Sequence, residues 1–162
     1  MLDKEIEKGI PVDLLLNPSA PEFNFSGNRL KLDVAFSLLH GTDGEDGSVQ
    51  GLLQTMNIPS VGSGVLGSAL SMNKIVAKQL LVQAGLPVGE FVHFTKAQRK
   101  EIKFQSIEKE LKLPFMCKSA SLGSSVGISK VKDETGFNKA VEDSFQYDDR
   151  SEERRVGKEC RL

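Results

Sequence analysis

Cys117-Lys118-Ser119-Ala120-Ser121-Leu122-Gly123-Ser124-Ser125-Val126-Gly127-Ile128-Ser129-Lys130-Val131 is the stretch that decides the fold. The apolar run Leu113-Pro114-Phe115-Met116-Cys117 leads into it, and an alternating run leaves it. This predicts strand, loop, strand, with a lysine at the mouth of a loop nearly free of bulky side chains. Such a loop lets backbone N–H groups approach an anion closely, and the lysine adds a compact positive charge. Phosphate is the first ligand these residues suggest.

Outward from that loop, apolar runs alternate with helical patterns. Towards the N-terminus, Val12 to Pro18 reads as a short strand and the next stretch, to Asn28, as loop. Leu32 to Leu39 reads as a strand buried on both faces, and it ends at His40-Gly41. Val49 to Met56 fits a short helix and Ile58 to Val61 a short strand. Ser68 to Ala84 is the clearest helix, with Ala69, Met72, Val76 and Leu80 at helical spacing and Gly85 and Pro87 as its stop. Phe91 to Phe94 alternates like a strand, and Ala97 to Leu111 reads as a surface helix. Thr135 to Phe145 reads as another helix, with Thr135 as its cap. Strands alternating with helices predict an α/β fold.

Composition narrows the function. A net charge of −1 supplies no basic field for nucleic acid and no polybasic membrane patch. No apolar run approaches the roughly 18 residues that span a bilayer, and Met1 to Lys8 is too charged for a signal peptide. Cys117 and Cys160 make no disulfide framework. These features predict a cytoplasmic protein that meets neither nucleic acid nor membrane. No set of residues has metal-ligand spacing: the acids after His40 do not follow a calcium-loop pattern. Gly62-x-Gly64-x-x-Gly67 formally matches a dinucleotide fingerprint, but no acidic residue closes a second strand at the required offset, so a connection between domains is preferred.

Several separated motifs stand in one order. They are His40-Gly41-x-x-Gly44-Glu45-Asp46-Gly47-x-Val49-Gln50-Gly51, then Ile58-Pro59-x-Val61-Gly62-Ser63-Gly64-Val65, then Ser68-Ala69-x-Ser71-Met72-x-Lys74. Ala84-Gly85-Leu86-Pro87, Leu113-Pro114-x-x-x-Lys118 and Gly123-Ser124-Ser125-Val126-Gly127-x-Ser129-Lys130-Val131 follow. Over about residues 33–149 this resembles the D-alanine–D-alanine ligases. The resemblance implies an ATP-grasp architecture: an N-terminal α/β domain over residues 1–66, then an α+β central domain over 67–149, truncated. It implies ATP with Mg²⁺, D-alanine as substrate, a homodimer in the full-length protein, and a place in peptidoglycan synthesis. Lys74 and Lys118 match the two phosphate-contacting lysines. Gly123, Ser124 and Ser125 match the loop that closes over the triphosphate, with Ser124 orienting the first D-alanine. His40, Glu45 and Asp46 lie on the loop bordering the substrate, which makes Ser124, His40 and Glu45 the candidate catalytic residues.

Two positions depart from the family pattern. Asn73 stands where aspartate is usual, and Ser119 where proline is usual, which predicts a looser backbone before the loop. The early glycine-rich strand with its substrate-contacting glutamate is not found, nor are the adenine-binding segment and the metal-binding third domain. The chain alone is therefore expected to lack ligase activity, with its central sheet cut at an edge. Ligases making D-alanyl-D-lactate or D-alanyl-D-serine, a non-catalytic nucleotide-binding module and a plain α/β interaction domain are the rival readings. Residues 150–162 differ in character. Their composition reads as a charged disordered tail, but Arg-Ser-Glu-Glu-Arg-Arg-Val-Gly-Lys-Glu-Cys also matches the in-frame translation of a sequencing-adapter oligonucleotide. The second reading predicts a non-native tail with no functional weight.

Overall fold

The computed structural model describes residues 12–15, 22–25, 27–122 and 127–156. The chain divides into two compact units, Met1–Ser68 and Ala69–Leu162, each with its own architecture.

In the first unit, β1 (Val12–Leu15), β2 (Glu22–Phe25) and β3 (Asn28–Lys31) form an antiparallel three-stranded sheet. The strand predicted at residues 12–18 is present in part, while β2 lies where a loop is expected. Leu32 to Leu39 does not become a buried strand. Its single ladder contact is a parallel bridge from Ala35 to Ser60, and Phe36 and Leu38 are 69% and 72% exposed. An apolar run is buried on both faces only when strands flank it, and among the described residues only Ser60 does so. Helix α1 (Ser48–Thr55) forms as predicted and packs Leu53 with Met56 and Ile58 into a small core. Its N-cap, Gly47, has φ 102°, and a side chain there would press on the Val65 carbonyl.

The long helix expected over 68–84 is two helices, α2 (Val65–Met72) and α3 (Lys74–Gln83). The break is Asn73, whose extended backbone ends one helix while its side chain accepts from Val76 N–H and caps the next. Asparagine caps as well as aspartate does, so the departure at this position preserves the helix start.

The second unit holds a four-stranded antiparallel sheet, ordered β4 (Phe91–Thr95), β7 (Arg150–Arg155), β5 (Phe115–Ser119), β6 (Ile128–Val131). The strand–loop–strand reading holds: β5 and β6 pair antiparallel, Lys118 opposite Ile128. Helices α4 (Phe104–Leu111) and α5 (Glu134–Ser144) cover one face. Helix α4 is shorter than predicted: a 3₁₀ turn, Lys96–Gln98, and the non-helical residues 99–103 occupy its expected first part. Helix α5 is capped by the Asp133 carboxylate on Gly136 N–H, two residues before the expected Thr135. Phe94, Phe104, Phe115, Phe137, Val141 and Phe145 build the core between helices and sheet.

Strand β7 corrects the reading of residues 150–155 as an unstructured tail. It lies between β4 and β5 and pairs with both. Period-2 alternation turns Ser151 and Glu153 into the core, while Glu152 faces the opposite side. Backbone pairing accepts any side chain but proline, so the ladder forms although the composition is polar. The cost appears in the side chains: one carboxylate oxygen of Glu152 and one of Glu153 are buried without a hydrogen-bond partner.

Glu153 accepts from Ser151 Oγ at 2.8 Å and from Cys117 Sγ at 3.2 Å. Burial raises its carboxyl to about 8 from an ordinary 4.5, offset in part by those hydrogen bonds. The folded state therefore holds this proton more tightly than the unfolded chain. The stability it contributes is fully present below pH 4.5 and is lost as pH rises through about 8. The unfolding free energy from urea titrations followed by circular dichroism should fall between about pH 5 and pH 8, at up to about 1.4 kcal/mol per pH unit. Glu153→Gln should flatten that dependence; equal slopes in both proteins would contradict the assignment.

Candidate functional site

Helix α3 presents Lys74 and, one turn later, Lys78 towards the sheet face opposite the aromatic core. Lys118 occupies the same face, because alternation in β5 buries Phe115, Cys117 and Ser119 on the other side. Its cross-strand partner on β7 is Glu152. Three ammonium groups and one buried carboxylate are thus gathered at the end of β5, where the glycine-serine loop begins.

Lys74 is the most engaged of them. Its ammonium donates to the carbonyls of Ser119 (3.3 Å), Ala120 (3.4 Å) and Leu122. Three acceptors match the three N–H bonds of a protonated amine. Burial lowers its pKa, opposed by the charge of Glu152 and reinforced by that of Lys118. Lys78 pairs with Glu152 and lies 4.7 Å from the centroid of the Phe91 ring. Burial lowers its pKa too, and the hydrogen bond it donates to Glu152 counteracts this.

The stem of the loop is held more firmly than the missing proline suggests. Ser119 N–H donates to Gly127 O at 3.1 Å, a bond proline cannot make, and Ser119 Oγ donates to Ser144 O at 3.0 Å. Gly127 has φ +64°, and a side chain on it would collide with Ser119 Oγ. The expected loosening is therefore absent at Ser119 itself. Asn73 Nδ2 donates to Ser121 Oγ at 3.3 Å, which ties the start of α3 to the same stem. Gly123, Ser124 and Ser125 lie outside the described residues.

In the first unit, His40 is exposed at the start of the acidic loop. A cavity of about 470 Å³ is lined there by His40, Thr42, Asp43 and Ser48 together with apolar neighbours. Glu45 is exposed and uses its carboxylate within the loop, accepting from Gly41 N–H at 2.6 Å. Asp46 accepts from Asp43 N–H and Ser48 N–H, and those bonds hold its carboxyl below the usual range. Asp46 and Glu45 thus shape the loop that displays His40.

Cys117 is fully buried, and burial pushes its thiol up, as suits a packed apolar residue and not a nucleophile. Among the described residues no group of three or more histidine, cysteine, aspartate or glutamate side chains is placed to hold a metal ion. No helix among them is long and apolar enough to cross a membrane.

The ordered motifs match known families over both units. Residues 14–63 match the model described as D-ala D-ala ligase N-terminus, and residues 80–160 match D-ala D-ala ligase C-terminus. The chain belongs to the D-alanine–D-alanine ligase family. The D-alanine–D-alanine ligase of Oceanobacillus iheyensis is 50% identical over 131 residues, which are 80% of this chain and 36% of that protein. The solved D-alanine-D-alanine ligase from Coxiella burnetii superposes with a TM-score of 0.83 at 34% identity, over 96% of this chain and 46% of that one. The VanG D-Ala:D-Ser ligase from Enterococcus faecalis gives 0.81 at 34%, over 94% and 45%. The chain thus spans less than half the length of these ligases.

Within the ligase framework, sequence reasoning missed Lys78, Asp148 and Glu152. Lys78 carried a signal: four residues after Lys74, it must share that helix face. Glu152 carried none, because its segment reads as tail. Replacing Asn73 removes both a helix cap and the tie to Ser121. Asn73→Ala should lower the unfolding free energy by about 1 kcal/mol and speed amide hydrogen exchange at Val76. An unchanged urea midpoint would contradict that role.

Proposed function

We propose that this chain is the substrate-side and central part of an ATP-dependent D-alanine–D-alanine ligase with an ATP-grasp architecture. The observation that carries the reading is the gathering of Lys74 and Lys118 on one sheet face, where the glycine-serine loop leaves β5. Phosphoryl transfer needs cations on the transferring group, and this face places two lysines beside one another. In the proposed reaction the γ-phosphoryl of ATP moves to the carboxylate of one D-alanine, releasing ADP. The amine of the second D-alanine attacks the acyl carbon, phosphate leaves, and the amine loses a proton.

Lys74 and Lys118 are assigned to the phosphates. Gly123, Ser124 and Ser125 are assigned to the covering loop, with Ser124 and His40 orienting the first D-alanine and Glu45 holding the loop that presents His40. The whole protein is assigned to the bacterial cytoplasm, as a homodimer serving cell-wall synthesis with Mg²⁺ beside ATP. Among the described residues no cluster of three or more carboxylate, histidine or cysteine ligands is placed for that ion. Equal 34% identity to a D-Ala-D-Ala and a D-Ala:D-Ser enzyme supports reading the second substrate as a small D-amino acid.

The segment after Asp149 is assigned a non-natural origin. Two glutamates in a central strand, each with a stranded oxygen, support this. Resequencing the locus should find different codons beyond Asp149; the same codons in clean genomic DNA would overturn it.

Calorimetric titration of the purified chain with ATP should show binding, weakened about tenfold or more by Lys74→Met or Lys118→Met. Given ATP, Mg²⁺ and D-alanine, the chain should form no dipeptide. Absence of ATP binding would refute the nucleotide reading, and dipeptide formation would refute the reading of the chain as incomplete.

A further inference from the structure

The stem from Ser119 to Leu122 is bolted on two sides, and the bolts act on the same peptide groups. The Ala120 carbonyl accepts from Lys74, through its backbone N–H at 2.9 Å and its ammonium at 3.4 Å. The N–H of that same peptide, on Ser121, donates to Asp148 Oδ2 at 2.6 Å. One peptide earlier, the Ser119 carbonyl accepts from the Lys74 ammonium, and the Ala120 N–H donates to Arg150 O at 3.1 Å. In a trans peptide the C=O and N–H point in opposite directions. Fixing the N–H ends towards the 148–150 turn therefore aims the carbonyl ends at Lys74.

We propose that Asp148 is a positioning residue for phosphate binding: by holding the Ser121 N–H it sets the orientation of the Ala120–Ser121 peptide, and through that carbonyl the direction of the Lys74 ammonium. The inference rests on the nucleotide reading given above. Asp148 suits the role for three reasons. Its bond to Ser121 spans 27 residues and is charge-assisted, so it belongs to the stronger class of hydrogen bonds. Its second oxygen accepts from Arg150 N–H at 3.0 Å, which fixes the carboxylate in its own turn. Its charge also acts favourably on the Lys74 ammonium. Every bond it makes is to backbone, so the role does not depend on which side chain occupies position 150.

The test uses the full chain with two probes, ATP and inorganic tripolyphosphate, and two variants. Asp148→Ala should weaken binding of both probes about tenfold or more, the loss expected for a hydrogen bond to a charged group. Asp148→Asn, which keeps an acceptor but no charge, should recover part of that affinity. Amide hydrogen exchange at Ser121 should be faster in both variants, while exchange in α5 stays as in the parent. A general loss of folding would instead raise exchange everywhere. Binding of ATP by the parent and by Asp148→Ala with equal affinity would overturn the positioning role alone. Should Asp148→Ala fail to fold, parental affinity and parental Ser121 exchange in Asp148→Asn would overturn it. A parent that binds neither probe would overturn the nucleotide reading, and this inference with it.

Discussion

Strands β4 and β5 are not paired with each other; both are paired with β7. That constraint organises the second unit. With β7 between them, β5 presents Phe115 and Cys117 to the helices and Lys118 to the opposite face, and β4 adds Phe94 to the core. The turn before β7 supplies the Arg150 carbonyl and the Asp148 carboxylate that hold the loop stem. Removing the strand would open two ladders at once and release the stem that shapes the lysine cluster.

The strand meets this demand with its backbone and strains against it with its side chains. Central positions in a sheet covered by helices favour apolar residues. Here the buried positions carry Ser151, Glu152 and Glu153. Glu152 is compensated by Lys78, which is itself packed against Phe91. Glu153 has only neutral donors around it: the Cys117 thiol, the Ser151 hydroxyl and, beyond them, Ser144. The helices on that face contribute Ile107, Leu111, Ala140 and Val141 to the core, none of which titrates. Uncompensated burial of a carboxylate is costly, so the group stays protonated into the neutral range. The fold and its local sequence conflict here, in a central strand whose buried positions are polar.

Much of the candidate site was legible before the fold. Lys118 stood at the end of an apolar strand before a loop of small residues, and the antiparallel pair β5–β6 follows from that pattern. Lys74 stood at the head of a strong helical period. What local patterns could not show was the split at Asn73, since a single asparagine inside a 3.6-residue period also reads as helix. They also missed the anchoring of Ser119, because its partners Gly127 and Ser144 are 8 and 25 residues away. The apolar run at Leu32–Leu39 misled for the converse reason: hydrophobicity describes what a strand needs, and only neighbouring strands can supply it.

The sequence by itself determined the family, the order of strands and helices around the glycine-serine loop, and the two lysines that stand as candidates beside it. Those depend on spacing along the chain and on side-chain chemistry, which are local. Only the tertiary structure decided that Lys78 and Glu152 belong beside those lysines, that Asp148 and Lys74 hold opposite ends of one peptide group, and that a polar segment closes the sheet. Each of these requires residues dozens of positions apart to meet, and such meetings are set by packing and by the demand that buried N–H and C=O groups be paired.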